Sequence, residues 1–166
     1  MGHKEHEAEA PAALNIGVLT LSDTRSKEED LSGKLICEML QGAGHKVSRY
    51  DLIREDPKVI EETLKSFLKE SLDIVITNGG TGLTSRDGTI EVAHRLMQKE
   101  LPGFGELFRL LSFHQIGPAA MLSRATAGSA GGKIILCLPG STKAVKLAMT
   151  RIIIPQAGHL VREARR

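Results

Sequence analysis

From residue 14 onward, short apolar runs of strand length alternate with segments whose apolar positions recur at helical spacing. That alternation predicts a mostly parallel sheet covered by helices. Asn15–Leu21 reads as the first strand, and a charged loop over residues 22–31 follows it. From Ser32 the residues Leu35, Ile36, Met39 and Leu40 fall on one helical face, with Gly44 just past the end, where a left-handed residue closes a helix. Lys46–Ile53 reads as a second strand. Asp56-Pro57 then opens a helix with Ile60, Leu64, Phe67 and Leu68 inward, since an acidic cap satisfies free amides and proline suits the first helical position.

Residues 72–77 form a short, strongly apolar run, as expected of a strand buried on both faces. It ends abruptly at Asn78-Gly79-Gly80-Thr81-Gly82. A helix is expected after Asp87, carrying Ile90, Ala93, Leu96 and Met97, and another over 103–113, with Phe104, Leu107, Phe108 and Leu111 in register. The stretch 128–132 reads as a turn and 134–138 as a further buried strand. Pro139-Gly140-Ser141 breaks that strand, and residues 142–154 predict a last long helix stopped by Pro155. With no repeat or interdomain linker, residues 14–166 read as one domain and 1–13 as a flexible, charged tail.

Composition narrows the function classes. A chain of 166 residues with 41% hydrophobic residues can bury an ordinary core. Aromatic residues are only 3%, without Trp, so the core is aliphatic and base-stacking platforms are scarce. The 22 basic and 20 acidic residues leave a net charge of +2, which does not argue for a nucleic-acid partner. Cys37 and Cys137 both lie in apolar runs and read as reduced core residues of a cytoplasmic protein. No apolar stretch is long enough to span a membrane, and residues 1–13 lack a secretory hydrophobic region. His3 and His6 in that leader are better read as solvated tail residues than as metal ligands.

Ligands of open α/β sheets bind beyond the carboxyl ends of the strands. Three strand ends here carry unusual loops: Ser22-Asp23-Thr24, Gly79 to Gly82, and Pro139-Gly140-Ser141. If those strands are neighbours, the loops share one cleft. Gly79, Gly80, Thr81 and Gly82 suit either a tight turn or an anion nest of backbone amides. Neither the Walker pattern nor the dinucleotide fingerprint fits them. Arg86-Asp87 suits polyphosphate chemistry, with Arg neutralising phosphate and Asp holding Mg²⁺; Asp87 also suits a helix cap. Of the two acids after the second strand, Asp56 fits the cap and leaves Glu55 available to a metal. Ser141 reads as a cap, or with Gly140 as part of a pterin or anion site.

The segment TNGGTGLTSRDGTIE, residues 77–91, resembles the signature of the molybdopterin-binding MogA/MoaB family. Leu21-Ser22-Asp23-Thr24, Met121-Leu122-Ser123-Arg124 and Leu138-Pro139-Gly140-Ser141 extend the likeness over nearly the whole folded chain. GFGELFRLLSFHQIG, residues 103–117, is most similar to the MoaB-type branch. The resemblance implies a three-layer α/β/α fold and a trimer or hexamer. It implies Mg²⁺-dependent adenylylation of molybdopterin by ATP, or an oligomeric carrier that binds the pterin without chemistry, with other cofactor-biosynthesis enzymes as candidate partners. By position, Asp87 matches the metal-linked acid and Glu55 a second acid. Gly79 to Gly82 match the nucleotide side, and Ser112, Ser123, Pro139, Gly140 and Ser141 the pterin side. Where adenylylating members read Pro-Arg-Asp-Val-Thr-Pro-Glu, this chain has Ser85-Arg86-Asp87-Gly88-Thr89-Ile90-Glu91, and losing both prolines predicts a looser loop.

Overall fold

The computed structural model describes residues 13–166, so the expected tail with His3 and His6 lies almost wholly outside the described residues. Among the described residues, six strands form one sheet in the order β2-β1-β3-β6-β5-β4. They are β1 (Asn15–Leu21), β2 (Lys46–Ile53), β3 (Ile74–Asn78), β4 (Lys99–Glu100), β5 (Thr126–Ala130) and β6 (Lys133–Leu138). The β2, β1, β3 and β6 strands run parallel, while β5 and β4 add an antiparallel flank. Helices α1 (Leu31–Gly42), α2 (Pro57–Lys69), α3 (Thr89–Leu96), α4 (Pro102–Ile116), α5 (Thr142–Ala148) and α6 (Ile154–Arg165) connect and cover it.

Strand alternation divides the core. Ile16, Val18, Ile74, Ile76, Ile134, Leu136 and Leu138 face a layer built from α1, α4, α5 and α6. Leu19, Leu21, Val75 and Ile135 face the other way, onto α2 and α3. Because strands buried on both faces favour apolar residues at successive positions, β3 carries the apolar run 74–76 and β6 the run 134–138. The expected three-layer fold is thus observed. The expected caps appear too: Asp56 accepts from the amides of Lys58 and Val59, leaving Glu55 out of the helix end.

Two expectations are corrected. Gly128 lies inside β5, and only Gly131-Gly132 make the turn. A Cβ at Gly128 would sit 2.5 Å from the Lys99 carbonyl oxygen, so glycine lets β4 pair closely there. Pro155 does not end the last helix; a wide π turn at Met149–Ile153 precedes it and Pro155 falls in the first turn of α6, where its missing amide costs little.

Candidate functional site

The chain runs from β1 outward to β2 and returns to β3 on β1's other side. Loops beyond this reversal diverge and leave a crevice, which is where doubly wound sheets bind ligands. Here β1, β3 and β6 are adjacent, so their loops do meet. A cavity of about 320 Å³ is lined by Leu21, Ser22, Thr24, Arg25, Glu55, Gly79 to Gly82, Asp87 and Gly140.

Glycine is required on this wall. Gly79 has φ +102°, and a Cβ there would lie 2.2 Å from the Leu21 carbonyl oxygen. A Cβ at Gly82 would stand 2.8 Å from Asp87 Oδ2, so the small residue lets the carboxylate fold back against the loop. Asp87 Oδ2 accepts from the Thr84 amide at 2.9 Å and the Thr84 hydroxyl at 2.6 Å. Asp87 therefore closes its own loop rather than capping α3, whose cap is Gly88. That closure tightens the loop where prolines were expected to be missed.

The carboxylates differ electrostatically. Burial pulls Asp87 upward, but hydrogen bonds from Thr84 and Gly82 and the charge of Arg124 outweigh it and hold the group below the usual aspartate range. Burial, then the charges of Asp87 and Asp23, push Glu55 up despite Arg86 and Arg25. Glu55 thus sits in a field of like charge that a divalent cation would relieve. Among the described residues no three or more His, Cys, Asp or Glu side chains form a ready metal cage. Mg²⁺ arriving on a polyphosphate needs only one or two protein carboxylates, so Asp87 and Glu55 fit it.

Other candidates are spread more widely. Arg86 is 70% exposed and pairs with Asp23 at 2.5 Å, on the rim. Asp23 also accepts from the Glu55 amide. Ser141 caps α5 through the Ala144 amide. It borders a 290 Å³ cavity next to the mouth and, with Ser112, a 680 Å³ groove beyond. Pro139 is half-buried ahead of Gly140. Ser123 lies instead in a separate 530 Å³ cavity with Glu91, His94 and Arg124. It follows the turn at Gly117–Leu122, which carries it toward β5; it is not part of the mouth.

The sequence alone assigned no site role to several residues that build the site. Arg25 lines both the mouth and the 290 Å³ cavity. Its placement was signalled only by its proximity to Ser22, whose hydroxyl accepts from the Arg25 amide. Arg124 donates to the Thr81 carbonyl at 3.1 Å and pairs with Glu91, bracing the glycine loop. Beneath lies a buried polar network: Asp30 accepts from Tyr50 Oη at 2.5 Å and from the Gly33 amide at 2.9 Å. The Ser32 hydroxyl stands 3.1 Å from Asp30 Oδ1 and 2.7 Å from Asn78 Oδ1, and Asn78 donates to Thr20.

Together these features define a doubly wound α/β protein with a glycine-walled mouth at its switch point. The chain belongs to the family described as the probable molybdopterin binding domain, whose model matches residues 17–159. It is 46% identical to molybdenum cofactor biosynthesis protein B of Bacillus cereus, over 100% of this chain and 99% of that protein. A crystal structure of a molybdenum cofactor biosynthesis protein B superposes with TM-score 0.89 at 47% identity, covering 94% of this chain and 98% of that one. The tungsten cofactor synthesizing protein MoaB of Pyrococcus furiosus gives TM-score 0.85 at 40% identity, covering 95% and 100%. The expected MoaB-type likeness is borne out.

Proposed function

We propose that this protein acts in molybdenum-cofactor biosynthesis by transferring an adenylyl group from Mg-ATP to molybdopterin. The observation that supports this most is the convergence of the glycine loop with Asp87 and Glu55 at the β1–β3 crevice. A phosphate oxygen of molybdopterin attacks the α-phosphorus of ATP. The bond between the α-phosphorus and the bridging oxygen to the β-phosphate breaks, giving adenylylated molybdopterin and pyrophosphate. The chain's part is placement and charge. The Gly79 to Gly82 loop borders the triphosphate, Asp87 and Glu55 would hold Mg²⁺, and Gly140 and Ser141 border the pterin side. When bound, Mg²⁺ neutralises charge gathering on the phosphates.

The test is incubation with molybdopterin and Mg-ATP, scored as adenylylated pterin with equimolar pyrophosphate. No product, under conditions where an active relative turns over, removes the proposal. One observation favours a second reading, a carrier without chemistry: Arg86 is held at the rim by Asp23 rather than inside the mouth. Saturable pterin binding without ATP consumption selects that reading.

Self-association belongs to the same proposal. Leu107, Leu110, Phe113 and Ile116 recur along α4 and are each more than half exposed, at 52%, 55%, 53% and 58%. Phe104, one turn earlier, packs in the core instead. Such a stripe is normally covered by a partner. Light scattering is expected to give a trimer or hexamer, and Leu110→Glu to shift it toward monomer. A monomeric wild-type protein at micromolar concentration contradicts this.

A further inference from the structure

Arg25 occupies a distinctive place. Together with Gly140 it is shared by the mouth and the 290 Å³ cavity holding Glu29, Ser32, Ser141 and Thr142. Its guanidinium Nη1 donates to Ser32 Oγ at 3.2 Å and to the Gly140 carbonyl at 3.3 Å. These side-chain partners are neutral. Ser32 is itself 1% exposed and fixed by Asn78 and Asp30, so the arginine is anchored to the buried network rather than to a carboxylate. The neighbouring arginines are committed elsewhere: Arg86 to Asp23, and Arg124 to Glu91 and the Thr81 carbonyl. A guanidinium held by neutral acceptors keeps its charge and remaining N–H groups for a ligand.

We propose that Arg25, and not Arg86, is the phosphate-gripping residue of the site. It holds an anionic phosphoryl group at the wall where the two cavities meet, and so discriminates for ligands that carry phosphate at that junction. The proposal rests on reading the mouth as a polyphosphate site. It adds the residue that aligns the two ligands' phosphates, which the resemblance did not supply.

The test uses the full-length chain and titrates magnesium pyrophosphate by calorimetry. Arg25→Met is expected to weaken binding about tenfold or more. Arg25→Lys should recover part of the loss, since a lysine keeps the charge but not the planar fork. Arg95→Met, a charge-matched change at an arginine paired with Glu61 on the far helices, should bind as wild type does. In turnover assays, Arg25→Met should raise the KM for both substrates. Each variant's melting curve establishes folding, and Arg25→Lys carries the test if the methionine variant fails to fold. Wild-type affinity in folded Arg25→Met, equal loss in Arg95→Met, or no saturable binding to wild type overturns the proposal. Pyrophosphate binding that depends on Arg25 without any adenylylated product removes adenylyl transfer but leaves Arg25's role standing.

Discussion

Asp87→Asn is expected to lower turnover by about a hundredfold or more while leaving melting temperature and quaternary structure nearly unchanged. The reasoning runs from shape and charge separately. Asparagine keeps the size of aspartate, so it still fits against Gly82, where there is no room for added atoms: even a Cβ would be 2.8 Å from Oδ2. Its amide oxygen can accept from the Thr84 amide and hydroxyl, as Oδ2 does at 2.9 and 2.6 Å. What disappears is the negative charge, which those hydrogen bonds and Arg124 keep ionised well into acid. A neutral amide is a poor Mg²⁺ ligand, and a metal bound at phosphates contributes several kcal/mol of transition-state stabilisation. Steady-state kinetics at saturating Mg-ATP, beside a melting curve, separates the two effects. Turnover above half of wild type would remove Asp87 from the metal site. A collapsed melting curve would instead make its role the loop closure.

How much of this was visible in the sequence depends on how local each feature is. β1, β2 and the Asp56-Pro57 helix start are encoded within a few residues, by apolar runs and caps. The three loop ends were legible for the same reason, and their meeting followed once parallel strands were assigned to adjacent places. The β5 strand was not legible. Thr126–Ala130 reads TAGSA, small residues with no alternation, and becomes a strand only because β6 and the short β4 flank it. Ser123 stands away from the mouth for a related reason: the irregular turn at Gly117–Leu122 decides which cavity it enters, and no spacing rule reports that. Arg25 and Asp30 lay in a charged loop that reads as solvated surface. Their roles come from partners 115, 20 and 46 residues away, namely Gly140 for Arg25, Tyr50 for Asp30, and Asn78 for the Ser32 that joins them.

That last network carries the largest expected stability effect. Asp30→Ala is expected to cost about 3 kcal/mol, lowering the melting temperature by roughly 6–12 °C for a domain of this size. Asp30 is 0% exposed yet carries a carboxylate. It caps α1 through the Gly33 amide and accepts from Tyr50 Oη. Alanine removes a cap worth about 1 kcal/mol and strands a tyrosine hydroxyl and its neighbours without acceptors, at about 1–3 kcal/mol more. The pH dependence supplies an independent check. Burial raises Asp30, but hydrogen bonds from Thr20, Tyr50, Gly33 and Ser32 overcome it, so its folded value lies below the ordinary 3.8. A depressed carboxylate contributes stability that is complete above the unfolded value and is lost as pH falls through the folded one. The wild-type advantage over Asp30→Ala should therefore be full at neutral pH and shrink below about pH 4. At the other end, burial and the Asp30 bond raise Tyr50, so that hydrogen bond's contribution persists at neutral pH and fades only in strong alkali. A melting difference under about 2 °C at pH 7, or one that grows on acidification, would mean the network stabilises nothing. Ser32 and Arg25 would then have no firm base beneath the mouth.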